Sequence, residues 1–390
     1  MSTPTLPMDT VHNIISLVPD EETLETLTTL STSSSILTEW ATRLLWDTVQ
    51  TCRGIDQLFR ADTFEKYCWM VRVMRLPVDI SQQLCDRIIH WEGLALPHLI
   101  ELSGLPECGQ NLACFRTLSL LATGLTSLLL DFCFFDFREE IKPNLSALLE
   151  GSPGLRNLTL YNLEGEHLQQ GSISHCRALV SFETSLYMIT ADILRDLSAL
   201  PVEVISCQLP GAGRVIPYDH NLEPTAVQPF VPHLANGSFE KLLKLSIGIC
   251  YEDLLDILAV CCSLRLLLAK SPERETADSL RSVLSALVPR HSTLEDLKLL
   301  DTEDDPIPDE GPGISLQDLH NIHNLRGLKN LLINIHGNSV ITEDQLTEFQ
   351  PHLRPGLLPL VHEPEDHDED DDDNDEDDTD KDDGQEPGEL

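Results

Sequence analysis

The chain has 390 residues, with 26 basic against 65 acidic side chains and a net charge of −39. Eighteen acids and one lysine fall within 363–390, so the tail carries −17 and residues 1–362 still carry −22. A body this acidic lacks the clustered Lys and Arg that displace counterions from a nucleic-acid backbone, and it disfavours an anionic membrane surface. No apolar run reaches the ~18 residues of a spanning helix, and the start lacks the basic-then-apolar order of a secretion signal, so a soluble protein of cytoplasm or nucleus is expected.

The first elements are helical. Val11, Ile14, Ile15 and Val18 recur at helical spacing behind Asp9 or Thr10 as N-cap. Pro19-Asp20-Glu21-Glu22 turns the chain and opens a second helix bearing Leu24, Leu27 and Leu30, its acids facing the positive end of the macrodipole. After Ser31–Ser35, a third helix carries Ile36, Leu37, Trp40, Leu44 and Leu45. Three short helices within residues 1–50 are too few for a self-sufficient core and call for a partner. Residues 51–95 are expected to be a helical linker.

Leucine then dominates. There are 69, about double ordinary usage, and many fall on L-x-x-L-x-L-x-x-(C/N). Leu125-Leu128-Leu130-Cys133 and Leu242-Leu245-Ile247-Cys250 fit completely; Leu155-Leu158-Leu160-Leu163 fits with leucine last. Partial matches are Leu179 with Phe182, Leu264 with Leu267, Leu294-Leu297-Leu299 and Leu328-Leu331-Ile333; Leu96-Leu99-Leu102 opens the series and Pro201–Ser206 supplies one more short strand. Alternate inward side chains on a short strand, followed by a turn to the next layer, give this spacing, and only stacked neighbours close the core. A coiled coil would need apolar positions every 3.5 residues in long runs, which the Pro and Gly breaks forbid. Helices are expected between strands: Glu252–Val260 puts Leu254, Leu255 and Leu258 on one side, and Ile189-Thr190-Ala191-Asp192 and Ile341-Thr342-Glu343-Asp344 look like helix starts.

Two insertions break the array of 96–362. Residues 207–238 carry Pro210, Pro217, Pro224, Pro229 and Pro232 with Gly211 and Gly213; residues 301–315 are acidic and rich in Pro and Gly. The tail 363–390 has no apolar side chain but its last, and its like charges repel, so it is expected to be disordered.

The eleven cysteines include no C-x-x-C pair and sit mostly in apolar stretches, as buried free thiols do. No G-x-x-x-x-G-K-S/T, G-x-G-x-x-G, H-E-x-x-H or G-x-S-x-G occurs, and His320, His323 and His336 follow no metal-ligand spacing. No enzyme, catalytic residue, metal or cofactor is expected. Residues between the repeat leucines are expected to point to the concave face of the stack. Leu129, Asp131, Tyr161, Lys244, Leu266, Leu268, Lys298, Leu300 and Leu332 are the candidate target-binding set, since exposed leucines in a row favour a protein partner.

Two resemblances rest on these residues. Cys250-x₁₀-Cys261-Cys262-Ser263-Leu264, with I-T-x-D helix openings, resembles the cysteine-containing class of leucine-rich repeat, in which Cys-x-x-Leu-x-x-Leu-x-Leu-x-x-Cys precedes the helix. Leu6-Pro7, Ile14-Ile15, Leu17-Val18-Pro19-Asp20, Leu24 and Trp40, in that order, resemble the F-box, although serines replace its hydrophobic-Cys pair before the third helix. The chain therefore looks like the fungal F-box and leucine-rich-repeat proteins. That implies an α/β fold: a leucine-rich-repeat solenoid, or horseshoe, behind a three-helix F-box-like bundle. It also implies a substrate-recruiting subunit of an SCF-type cullin ubiquitin ligase. Leu6, Pro7, Ile14, Ile15, Leu17, Pro19, Leu24, Leu27 and Trp40 would then dock the Skp-type adaptor and the repeats an unknown target. An acidic-tailed repeat protein that binds histones or other basic proteins is the alternative.

Overall fold

The computed structural model describes residues 29, 35–77, 80–106, 109–132, 138–163, 168–185, 190–208, 239–261, 263–271, 277–301, 322 and 324–334. Its frame is one apolar column. Val49, Met74, Leu102, Leu128, Leu158, Phe182, Ile205, Leu245, Leu267, Leu297 and Leu331 occupy equivalent positions on successive strands, and all are buried. Three residues before each from Met74 onward, a second apolar side chain is buried: Val71, Leu99, Leu125, Leu155, Leu179, Val202, Leu242, Leu264, Leu294 and Leu328. One stacked layer of this kind cannot close a core, so the chain repeats it, and the apolar cluster runs unbroken from Val49 to Leu331.

The strands are β1 (Thr48–Val49), β2 (Val73–Leu76), β3 (Glu101–Gly104), β4 (Ser127–Asp131), β5 (Asn157–Tyr161) and β6 (Ser181–Ser185), followed by β7 (Val204–Gln208), β8 (Lys244–Gly248), β9 (Leu266–Ser271), β10 (Asp296–Asp301) and β11 (Asn330–Asn334). Among the described residues they form a single eleven-stranded sheet whose spatial order equals sequence order. Every pair is parallel, so each step between neighbours needs a crossover connection. Among the described residues helices supply these outside the β7–β8 and β10–β11 connections: α1 (Ser35–Asp47) leads in, then α2 (Cys52–Leu58), α3 (Ala61–Tyr67), α4 (Gln82–Ile89), α5 (Gly109–Leu121), α6 (Arg138–Glu150), α7 (Ala191–Ser198), α8 (Tyr251–Val260) and α9 (Ala277–Arg290). Between β5 and β6 a short 3₁₀ turn, Ile173–His175, serves instead. Helices α4, α5 and α6 pack in series, as do α8 and α9. The fold is an α/β solenoid of leucine-rich repeats.

The entry to each strand is built alike. The Arg72 carbonyl accepts from the N–H groups of both Ile100 (2.9 Å) and Glu101 (3.2 Å), and Ile100 accepts from Thr126 and Ser127. The same double acceptance recurs at Thr126, Arg156, Val180, Glu203, Leu243, Arg265 and Glu295. Two successive donors exposed as the chain bends are thereby satisfied by the two lone pairs of one carbonyl. Before that bend lies a buried slot holding Cys68, Leu96, Ala122, Ser152, Cys176, Phe239, Cys261, His291 and Leu325. Several of these reach carbonyls near helix C-termini, which lack intrahelical donors. Ser152 Oγ donates to Leu148 O (2.9 Å), Cys176 Sγ contacts Leu149 O (3.9 Å), and a His291 ring nitrogen lies 3.2 Å from Leu258 O. Cysteine suits the slot as a small, weakly donating residue. Thr190 and Ser81 cap helix starts with their side chains: Thr190 accepts from Ile193 N–H at 3.4 Å and Ser81 from Leu84 N–H at 3.3 Å. Cys250 stands at the N-cap of α8, its carbonyl accepting the first helical bond from Leu254 N–H at 3.0 Å.

Four expectations change. The sheet starts at Thr48 rather than near residue 96, because Val71-x-x-Met74-x-Leu76 is a repeat in which valine and methionine stand for leucine, so 51–95 is not merely a helical linker. Helix α1 runs straight into β1, and Trp46 at its end stacks on Tyr67 of α3 (centroids 4.8 Å, interplanar 11°). The end of the expected third bundle helix thus belongs to the solenoid. The repeat after Val71-Met74-Leu76 reads Leu99-x-x-Leu102-x-Gly104, not Leu96-Leu99-Leu102. Gly104 takes the second inward position with φ +157°, and a Cβ there would lie 2.5 Å from Leu76 O and 2.9 Å from the Phe115 ring. The aromatic ring from α5 fills the space that a leucine takes in other repeats. Lastly, Cys207 and Gln208 belong to β7 and Asp301 to β10, so both insertions begin later than their sequence boundaries.

Candidate protein-docking surface

Side chains alternate across a strand, so the positions flanking the inward columns share the opposite face of the sheet. The middle outward column runs Arg75, Ser103, Leu129, Thr159, Glu183, Ser206, Ser246, Leu268, Lys298 and Leu332, each paired with the next. One step towards strand entry lie Glu101, Ser127, Asn157, Ser181, Val204, Lys244, Leu266, Asp296 and Asn330. Towards strand exit lie Asp131 opposite Tyr161, and Gly248, Lys270 and Leu300 in register. Neighbouring strands sit ~4.8 Å apart and same-face residues ~6.6 Å apart along a strand, so this is a continuous surface.

All nine candidate target-binding residues occupy this face by register: Leu129, Leu268, Lys298 and Leu332 in the middle column, Lys244 and Leu266 at the entry side, and Asp131, Tyr161 and Leu300 at the exit side. Leu129 is exposed at 37%, whereas Leu128 and Leu130 beside it are fully buried. Leu332 is placed by its backbone alone. The leucine spacing misses Arg75, Glu101, Ser103, Glu183 and Ser206, which share the face. The Val71-Met74-Leu76 and Val202-Ile205-Cys207 spacings carry the signal that finds Arg75 and Ser206, once valine, methionine and cysteine are admitted at inward positions, while Glu101 and Ser103 flank Leu102 and Glu183 follows Phe182.

The two halves of the face differ in chemistry. Around β3–β6 the charges are Glu101, Asp131 and Glu183. Arg75 lies 3.8 Å from Glu101; Asn162, at φ +54°, donates to Asp131 at 2.6 Å. Burial pushes the Tyr161 hydroxyl above its ordinary range; its hydrogen bond to Glu183 and the Glu183 and Asp131 charges add to this. The Tyr161 hydroxyl thus donates to Glu183 on the acidic side of the face. Around β8–β10 the outward charges are Lys244, Lys270 and Lys298, with Leu266, Leu268 and Leu300 among them. The carboxylate there is Asp296, which accepts from the Asn330 side chain.

Leu6, Pro7, Ile14, Ile15, Leu17, Pro19, Leu24 and Leu27 lie outside the described residues, and Trp40 is described only as a backbone position in α1. His320, His323, His336, Cys133 and the tail 363–390 also lie outside. Among the described residues no group of three or more His, Cys, Asp or Glu could hold a metal ion, and no helix is long and apolar enough to cross a membrane. The eight described cysteines carry free thiols, six of them buried.

No family model matches the chain, and no curated protein matches it. Among solved structures, an internalin (InlF) from Listeria monocytogenes is similar with a TM-score of 0.35 and 13% identity, covering 83% of this chain and 92% of its own. The TLR13 chain of a TLR13–ssRNA13 complex is similar with a TM-score of 0.33 and 13% identity, and the match spans 69% of this chain and 40% of TLR13. Both neighbours are leucine-rich-repeat proteins; the assignment of this fold stands on its own sheet order, register and buried leucine columns.

Proposed function

We propose that this chain is a non-catalytic recognition scaffold: the outward sheet face holds a protein target, and the N-terminal segment couples it to a Skp-type adaptor within an SCF-type cullin ubiquitin ligase. One observation carries the docking part. The inward columns are apolar except at Thr184, whose buried hydroxyl donates to Leu160 O, while the outward column mixes leucine, hydroxyl and charged groups over ten strands in register. An exposed apolar and polar mixture on a rigid sheet matches protein recognition better than a sugar or phosphate site. The adaptor part rests on the F-box resemblance of Leu6-Pro7, Ile14-Ile15, Leu17, Pro19, Leu24, Leu27 and Trp40. Such a subunit works by raising the effective concentration of target near a ubiquitin-charged enzyme. Co-purification of the full chain with the adaptor tests it. Adaptor should accompany the wild type and be lost from the Leu6→Ala/Pro7→Ala variant; no adaptor with the wild type would end the ligase reading.

The tail's eighteen acids favour a second reading, in which the chain holds histones or other basic proteins. That reading expects salt-sensitive histone binding that disappears on removing 363–390, and binding unchanged by the removal would sink it.

A further inference from the structure

In a chain with 26 basic residues against 65 acidic ones, the outward face of three adjacent strands gathers Lys244, Lys270 and Lys298 around Leu266, Leu268 and Leu300. From register, Lys270 and Lys298 are about 8 Å apart, Lys244 and Lys298 about 12 Å, and Lys244 and Lys270 about 14 Å. Among the described residues none of the three has an ion-pair partner within 4.0 Å. By contrast Arg60, Arg72, Arg75, Arg87, Arg195, Arg281 and Lys329 each have a carboxylate in reach. The acid-rich part of the same face begins with Glu183 on β6, two strands from Lys244, and the carboxylate among the outward residues of β8–β10 is Asp296, which accepts from the Asn330 side chain.

We propose that this patch is the docking site of the chain's own acidic segment, 363–390. Charge complementarity and connectivity both favour it. Strand β11 ends at Asn334, one strand from Lys298, two from Lys270 and three from Lys244. All three therefore lie within about 20 Å of that point. Residues 335–362 supply 28 residues of tether, enough for a span of roughly 30 Å as a coil or about 42 Å as a helix. Tethered acids meet the patch at an effective concentration of order millimolar, which a separate acidic protein rarely reaches. The tail lacks apolar side chains before Leu390, so it engages the lysines and leaves Leu266, Leu268 and Leu300 uncovered. A target carrying both acidic and apolar groups would displace it. The inference deepens the docking reading by assigning the β8–β10 part of the face a charge preference and an intramolecular competitor.

Zero-length carbodiimide coupling of the full 390-residue chain at low salt tests this, with cross-linked residues mapped by mass spectrometry. The expected result is amide bonds from carboxylates of 363–390 to Lys244, Lys270 or Lys298, in a yield independent of protein concentration and lost in about 0.5 M salt, where the Debye length is ~4 Å. A second measurement covers the case of inefficient coupling. Acylation of the three lysines should be several-fold slower in the wild type than in a full-length variant with the acids of 363–390 changed to Asn and Gln, while Lys142 reacts equally in both. Cross-links spread evenly over Lys66 and Lys142 would overturn the proposal. So would yields that rise with concentration, meaning a second copy as the occupant, or equal acylation in the two proteins. Adaptor co-purification reads the other end of the chain, so the two proposals can fail separately.

Discussion

Leu128 and Leu129 are adjacent, identical in chemistry and opposite in position, which makes them the sharpest test of the register. Leu128 is fully buried between Leu102 and Leu158; Leu129 is 37% exposed on the outward face. Truncating Leu128 to Ala removes about three buried carbons, ~2.4 kcal/mol of transfer free energy, and the cavity left behind raises the expected loss to about 3–4 kcal/mol. The Leu129→Ala change removes a smaller buried fraction and leaves a gap that water fills, so it should cost no more than about 1.5 kcal/mol. Urea unfolding of the full chain, followed by far-ultraviolet circular dichroism and compared at the first transition, reads the difference. Since a strand slipped by one residue exchanges its two faces, equal losses for the two variants, or a larger one for Leu129→Ala, would refute the inward and outward assignment across the sheet.

Burial pushes the Cys176 and Cys207 thiols up to about 12, so native-state alkylation near pH 8, mapped by mass spectrometry, should label Cys52 long before either; early labelling of Cys176 would mean that its slot opens. Asp56 accepts from Arg60 (2.9 Å) and Arg87 (2.5 Å), which hold its carboxyl below its ordinary range and tie α2 to α4. A lowered folded pKa stabilises above the unfolded value and is lost as pH falls through the folded one. Arg87→Ala should therefore cost no more than about 1 kcal/mol near neutral pH for so exposed a pair, and a variant as acid-sensitive as the wild type below pH ~4 would contradict the linkage. At Gly104, where φ is +157° and Leu76 O lies 2.5 Å from a new Cβ, alanine should cost at least about 1–3 kcal/mol; a thermal midpoint matching the wild type would show that the contact relaxes freely.

Most of the inward frame was legible in the sequence because leucine at a fixed three-then-two spacing has one economical explanation, a strand buried on one side. What escaped did so for physical reasons. The first repeats hide because valine, methionine and glycine fill the leucine positions of β2 and β3, and the Gly104 vacancy makes sense only once Phe115 from α5 is known to occupy it. The repeat pattern puts cysteine both at the turn after a strand, where Cys250 stands at the start of α8, and three residues before the first repeat leucine, where Cys176 and Cys261 are buried; the spacing does not tell that Cys176 reaches the Leu149 carbonyl from there. The pairing of Tyr161 with Glu183 depends on register between unequal repeats, which no spacing within one repeat encodes. The outward residues Leu129, Lys244, Leu268 and Lys298 were legible by alternation alone.

Apart from the terminal β1–β2 pair, matched over two residues, a one-dimensional stack also has a weakest internal joint, and the register locates it. Strands β8 and β9 stay paired over five residues and β9 and β10 over six, but β7 and β8 over three: Val204–Lys244, Ile205–Leu245 and Ser206–Ser246. Past that point the contact continues through the Ser246 hydroxyl, 3.4 Å from Cys207 O. In a solenoid, stability is approximately a sum of unit and nearest-neighbour terms, so the poorest neighbour term decides where cooperativity breaks. Hydrogen exchange under rising denaturant should then resolve two units, with the β8–β10 amides exchanging as one group and the β4–β6 amides as another. A common denaturant dependence across the joint would mean that the apolar columns, which cross it at Ile205–Leu245, carry the coupling without help from the backbone ladder.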